Sequence, residues 1–292
     1  IIEKGLVVDG TGAPALAADI GIKADKIVAV EDLAGSEATQ RLDASGMIVA
    51  PGFIDIHTHS ELELLADGRA LSMLYQGVTT NVTGNCGMSV APISDASRVP
   101  VQLGMAADSY GIEWSWNSFG QWLDTLRAQP IAINVAPLVG HGTIRATAMG
   151  FDDRPPTDIE MKTMKKLVYQ AMEEGAFGIS TGLVYPPGIY SDTAELVELA
   201  QVVAQFHGLY TSHVRGEAAT LLEAIREALS IGFRSGASVE ISHHKAAGKS
   251  NWGRVRDSYA LIEAAAADHD VTYDIYPYRA GNAGLGYISY VT

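Results

Sequence analysis

The sequence predicts an α/β protein, a TIM-type (β/α)8 barrel with a small β-sandwich domain begun by the N-terminal strands. Three observations carry this expectation. Residues 1–50 hold short apolar or alternating runs separated by Gly, Pro and Asp turns. After Pro51 the rhythm changes, and apolar β-type runs alternate with amphipathic segments of helical length, as βα units on a parallel sheet do. Histidines and the single cysteine then fall repeatedly at the ends of those runs.

In chain order, IIEKGLVVDG, IGIKADKIVAV and RLDASGMIVAPG read as the strands of the small domain, residues 1–50. The barrel is expected over residues 51–292. Its strands are FIDIH (53–57), VTTNVTG (78–84), IAINVAPLVG (131–140), GAFGIST (175–181), GLYTSHV (208–214), ASVEISH (237–243) and VTYDIYP (271–277). Helices are expected in TDIEMKTMKKLVYQAMEEG, SDTAELVELAQVVAQFHG, EAATLLEAIREALSIG and RDSYALIEAAAADHD, with Ser, Thr or Asp near several starts and Gly at several ends. Seven such strands are one short of a closed barrel, and a doubly wound open sheet is the alternative. The stretch from about 84 to 130 is long for one connection, so it is expected to carry an excursion or lid.

Of the 292 residues, 47% are hydrophobic and 18% charged, the balance of a soluble globular chain. The net charge of −14 argues against a nucleic-acid or anionic-membrane partner, which needs clustered Lys and Arg. No membrane-length apolar segment and no basic-then-apolar signal sequence is present. One cysteine excludes an internal disulfide, and a reducing, cytoplasmic setting is expected.

In parallel barrels, function gathers at the carboxyl ends of the strands. Here those ends carry His57 and His59, then Asn85-Cys86, His141, His213, and finally His243-His244-Lys245. Metal coordination accounts for the pattern, because imidazole and thiolate are good ligands for zinc-like ions. On an extended strand residues i and i+2 point the same way, so His57 and His59 can converge on one ion. His244 should face away from His243, leaving one ligand in that pair. Cys86 sits in the glycine-flanked turn Thr83-Gly84-Asn85-Cys86-Gly87, which favours a thiolate ligand over a core residue. Its competing role is a nucleophile activated by His57 or His213. His141, in GHGTIR, is accessory, substrate-facing or structural; His207 and His269 read as surface or cap residues.

With these residues placed, the chain resembles the amidohydrolase superfamily, and within it the N-acyl-D-amino-acid deacylase (D-aminoacylase) family. The blocks PGFIDIHTHSE, TTNVTGNCG, GISTGLVYPPG, YTSHVRGE, ISHHKAAG and YDIYPYRAG carry the resemblance over essentially the whole chain. It implies zinc-dependent hydrolysis of N-acyl-D-amino acids, small-molecule substrates, to a carboxylic acid and a free D-amino acid. It implies one tightly bound zinc on Cys86, His213 and His243, with His57 and His59 lining the centre and able to hold a second, weaker metal. Lys245, Tyr185 and Tyr276 are implied to contact the substrate carboxylate or carbonyl. The fourth-strand block GAFGISTGLVYPPG lacks the bridging lysine of most two-metal amidohydrolases, and the cysteine is implied to take its place.

The general base implied by the resemblance is an aspartate on the eighth strand, and no residue here matches it. Asp274, on the seventh run, reads as structural. The eighth βα unit and the strands that return to the small domain are therefore expected in a further segment, or this chain is a fragment inactive alone. The rival functions are a dihydroorotase- or hydantoinase-like cyclic-amide hydrolase, a non-catalytic homologue, and a cysteine-nucleophile enzyme.

Overall fold

A computed structural model describes residues 1–93 and 101–281. The chain divides into two compact units, Ile1–Phe53 and Ile54–Thr292.

The first unit is one five-stranded sheet among the described residues. Its strands are β1 (Ile2–Val7), β2 (Leu16–Lys23), β3 (Lys26–Glu31), β4 (Leu42–Asp43) and β5 (Ile48–Val49). β3, β2, β1 and β4 lie side by side, and β5 also pairs with β1. The β1–β2 and β2–β3 pairs are antiparallel, whereas β4 and β5 run parallel to β1. Buried Asp19 holds the sheet by accepting from the backbone N–H of Lys4 at 2.8 Å and of Leu33 at 3.0 Å.

The second unit carries the βα rhythm. β6 (Phe53–Asp55) leads through the short helices α1 (Glu63–Ala66) and α2 (Leu71–Leu74) to β7 (Val78–Thr83). The expected excursion follows. Its residues 94–100 lie outside the described chain; beyond them come α3 (Val101–Tyr110) and α4 (Phe119–Arg127). This segment packs into the core rather than lying open. Trp116, Phe119 and Trp122 are buried, and the Trp116 indole N–H donates to the Val90 carbonyl at 2.8 Å. Then follow β8 (Asn134–Pro137), β9 (Val139–Gly140), α5 (His141–Met149), α6 (Asp158–Glu174), β10 (Gly178–Gly182) and α7 (Thr193–Ala204). The described elements end with β11 (Leu209–His213), α8 (Leu221–Ser235), β12 (Ser238–Ile241), α9 (Val255–Ala266) and β13 (Val271–Tyr273).

The helices obey their sequence signals. Thr157 and Glu160 form a reciprocal capping box at the start of α6, and Gly175 closes it in the left-handed conformation. Met164, Val168 and Ala171 of α6, Leu196, Leu199, Ala200 and Val203 of α7, and Leu221, Ala224, Ile225 and Ala228 of α8 recur at helical spacing and are buried. With Ile179, Tyr210, Val239 and Ile241 of the strands they form one core.

One strand differs from expectation. The run 131–140 is two strands, β8 in the sheet β6-β7-β8 and β9 in the sheet β9-β10-β11-β12-β13. The run is bonded along both edges, which explains the division. Leu138 donates its N–H to the Thr83 carbonyl at 2.8 Å, while the Pro137 carbonyl accepts from Phe177 at 2.8 Å. Pro137 has no N–H of its own, so the ladder changes partner there. All recorded pairings from β7–β8 and β9 through β13 are parallel. Their carboxyl ends therefore lie at one edge, where the candidate ligands fall.

Candidate metal centre

Cys86 is the hub. Its sulfur lies 3.3 Å from His57 Nε2, 3.7 Å from His213 Nδ1 and 3.7 Å from His243 Nε2. The three rings arrive from the ends of β6, β11 and β12, and Cys86 arrives from the turn after β7. That turn is forced by its neighbours. A Cβ on Gly84, whose φ is +77°, would sit 2.1 Å from the Leu138 carbonyl oxygen, so only glycine fits where β7 meets the third run. Cys86 and His243 themselves have φ of 55° and 39°, a conformation that side chains bearing a Cβ adopt at a cost.

Each imidazole has an acidic partner on its far side. His57 Nδ1 is 3.1 Å from Asp274 Oδ2, and His243 Nδ1 is 3.0 Å from Glu217 Oε1. His213 Nε2 lies 3.9 Å from the same Glu217 oxygen. Burial and the nearby carboxylates of Glu217 and Asp274 push the Cys86 thiol far above its ordinary value. Burial and the His243 ring push His213 down, and burial lowers His243 as well, which disfavours the charged form of both imidazoles. Burial opposes ionisation of Glu217, but the hydrogen bond from His243 and the nearby His213 and Lys245 hold it down at about 2. A neutral ring with one nitrogen tied to a carboxylate presents its other lone pair, the state that ligates metal.

The donor set fits zinc. A tetrahedral ion with a thiolate at about 2.3 Å and imidazole nitrogens at about 2.0 Å sets sulfur and nitrogen about 3.5 Å apart. The three sulfur–nitrogen distances straddle that value. Ligand atoms of His57, Cys86 and His243 lie within 4.8 Å of one another, as do those of His213, Glu217 and His243. Burial and the Glu217 and Asp274 carboxylates disfavour a Cys86 thiolate unless a cation stands beside it, which a zinc ion would supply and a cysteine acting as a nucleophile without metal would lack.

The other predicted residues divide. His59 is exposed, its ring 5.6 Å from that of His57, and it joins neither group of converging ligand atoms among the described residues. Tyr185 stands edge-on to His213 with centroids 4.9 Å apart. Lys245 Nζ lies 2.5 Å from Glu217 Oε1 and 5.5 Å from the Tyr276 ring centroid. His244 turns away, its Nε2 2.8 Å from the Ser258 hydroxyl. His141 is not brought into the cluster. It is fully buried, with Nε2 2.8 Å from Glu195 Oε1, and the other Glu195 oxygen is ion-paired with buried Arg145. His207 is exposed, whereas His269 is half-buried and bonds the Ala237 carbonyl at 2.7 Å.

Two acidic residues complete the geometry. Glu217 was not singled out from sequence; its signal was a carboxylate four positions after a strand-end histidine, in His213-Val214-Arg215-Gly216-Glu217. Asp274 accepts from the His243 backbone N–H at 2.8 Å as well as bonding His57, so it braces two of the rings. Behind it, burial and the Asp274 carboxylate push Glu240 up, while hydrogen bonds from His57 and Glu240 outweigh burial and hold Asp274 down.

A cluster of thiol and imidazoles at the carboxyl ends of parallel strands, braced by carboxylates, has the donors of a metal-binding centre. The amidohydrolase family model matches residues 40–274, and the chain belongs to that family. Within it the similarity is to enzymes of the D-aminoacylase group. The chain is 43% identical to D-aminoacylase of Alcaligenes xylosoxydans xylosoxydans over 286 residues, covering 98% of this chain and 58% of that protein. It superposes with a TM-score of 0.91 and 42% identity on a D-aminoacylase solved for the role of its binuclear metal centre, covering 96% of this chain and 58% of the other. It superposes at 0.89 and 40% identity on N-acyl-D-glutamate deacylase from Bordetella bronchiseptica, solved with zinc and a phosphonate mimic of the tetrahedral intermediate. That match covers 95% of this chain and 58% of the deacylase. The chain thus spans somewhat more than half the length of these relatives.

Proposed function

We propose that the protein containing this chain is a zinc-dependent deacylase that hydrolyses the amide bond of N-acyl-D-amino acids, releasing a carboxylic acid and a free D-amino acid. The observation that carries it is Cys86 surrounded by His57, His213 and His243 at zinc-like spacing. Cys86, His213 and His243 hold the tight zinc, and His57 with His59 forms the side of the centre open to a second, weaker ion. The 40–43% identity to deacylases of D-amino-acid derivatives supports the substrate class.

The second unit, in this reading, is a (β/α)8 barrel. The contact between His57 after β6 and Asp274 after β13 supports it, since side chains that follow the first and last described strands of this unit meet. The first unit is one half of a β-sandwich.

Zinc, when bound, supplies Lewis-acid polarisation of the amide carbonyl and lowers the pKa of water at the centre. The chain's own residues supply position. Lys245 pairs with the substrate α-carboxylate, and Tyr276 beside it closes the same pocket. Tyr185, edge-on to His213, presents its hydroxyl where negative charge develops on the carbonyl oxygen. The general base is the eighth-strand aspartate that the family resemblance implies; Asp274, engaged with His57 and the His243 backbone, serves as a brace. A local ammonium also lets an acidic protein capture an anionic substrate.

The test uses the complete protein. Metal analysis should find tightly held zinc, and N-acetyl-D-amino acids should turn over at least tenfold faster than their L-forms. Purified protein without zinc, or with equal rates on both enantiomers, refutes the proposal.

A further inference from the structure

We propose that Glu217 is a positioning residue that couples zinc binding to recognition of the substrate carboxylate. This deepens the deacylase reading and rests on it. One oxygen, Glu217 Oε1, lies 3.0 Å from His243 Nδ1, 3.9 Å from His213 Nε2 and 2.5 Å from Lys245 Nζ. The two histidines turn opposite nitrogens to Cys86, Nε2 of His243 and Nδ1 of His213. A ligating nitrogen must be unprotonated, so each neutral ring carries its proton on the far nitrogen, facing Glu217. The carboxylate accepts the His243 proton and fixes that ring's tautomer, while the far nitrogen of His213, at 3.9 Å, faces the same negative charge without a hydrogen bond.

The same oxygen holds Lys245. An ammonium has three N–H donors, and Glu217 takes one, aiming the remainder. Lys245 also lies 2.9 Å from His243 Nδ1, so ammonium and imidazole converge on a single acceptor. Glu217 is held rigidly enough for this task. Its side chain is 10% exposed, and its backbone carbonyl accepts from Ala247 at 2.6 Å, tying the segment after β11 to that after β12. Loss of Glu217 therefore disturbs ion and substrate together, although it touches neither in this arrangement.

The experiment compares Glu217→Ala and Glu217→Gln in the complete protein, with folding checked by circular dichroism. Gln keeps a carbonyl acceptor for the His243 N–H but loses the charge that pairs with Lys245. Zinc affinity is measured by competition with a chromophoric chelator, and steady-state kinetics are run at saturating zinc with an N-acetyl-D-amino acid. Glu217→Ala should weaken zinc by roughly 10- to 100-fold, the usual cost of an outer-sphere partner. Glu217→Gln should hold zinc within about threefold of wild type, yet raise KM about tenfold with kcat changed less than about threefold. Unchanged zinc affinity in Glu217→Ala, or unchanged KM in folded Glu217→Gln, overturns the proposal. Loss of zinc from Glu217→Gln as complete as from Glu217→Ala also overturns it, because it would make Glu217 a direct ligand. A wild-type protein without zinc or turnover sinks the deacylase reading instead.

Discussion

The buried ion network around Glu195 yields a prediction with a worked magnitude. Glu195 accepts from His141 Nε2 at 2.8 Å through one oxygen and from Arg145 through the other. Arg145 and His141 are 0% exposed and Glu195 is 3% exposed. Replacing Glu195 by Gln keeps the shape but leaves the Arg145 guanidinium buried without an anion. Breaking one side of a buried pair costs about 3–5 kcal/mol. In a unit of this size that lowers Tm by roughly 6–20 °C. Burial opposes Glu195 ionisation, yet His141 and Arg145 hold its pKa below the ordinary 4.5. A depressed carboxyl stabilises fully above the unfolded value and loses that contribution as pH falls through the folded one. The gap between wild type and Glu195→Gln should therefore be widest at pH 6–7 and narrow below pH 4.5. Thermal unfolding followed by circular dichroism at fixed zinc and protein concentration measures it. The double variant Arg145→Met/Glu195→Gln should recover part of the loss. A Tm drop under about 2 °C at pH 7, or a gap independent of pH, refutes the reasoning.

Other predictions follow from the site. Cys86→Ala should reduce retained zinc to less than about a tenth of wild type after dialysis against a mild chelator, read by metal analysis. Gly84→Ala should do nearly as much without touching a ligand, because the new methyl meets the Leu138 carbonyl and the Cys86 turn must move; melting temperature and zinc content should fall together. Arg215 donates to the Ile189 carbonyl at 3.1 Å and the Ser191 carbonyl at 2.9 Å, backed by Glu227. It clamps the segment carrying Tyr185, so Arg215→Ala should cut kcat/KM by about tenfold, the order of one charged hydrogen bond, with zinc content unchanged.

Much of this architecture was legible because it is written in local periodicity. The period of buried positions in α6, α7 and α8, and the Thr157 and Gly175 caps, are short-range signals that burial then confirms. The hub was legible for a different reason: cysteine and histidine are rare enough that their repeated placement at strand ends stands out. Glu217 escaped because carboxylates are common, and Asp274, which reads as structural, could not be given its particular partners, because a bracing role depends on which ring nitrogen faces which oxygen, which only packing decides. His141 shared the strand-end position of the ligands, yet it opens α5 and turns to Glu195 instead. The division of the third run at Pro137 also depended on its two neighbours rather than on its own residues.

The brace between His57 and Asp274 joins positions 217 residues apart, and Cys86 meets His243 across 157. At ribosomal rates of about 5–20 residues per second, roughly 8–30 s pass between synthesis of that cysteine and that histidine. No nascent segment holds the complete trio during that interval, and closing loops of such length precedes any reward from the contacts they make. The centre is thus a late-assembling product of translation. Under the proposed reading, zinc uptake would report whether the distant parts of one chain have found each other, which makes it a measure of finished folding.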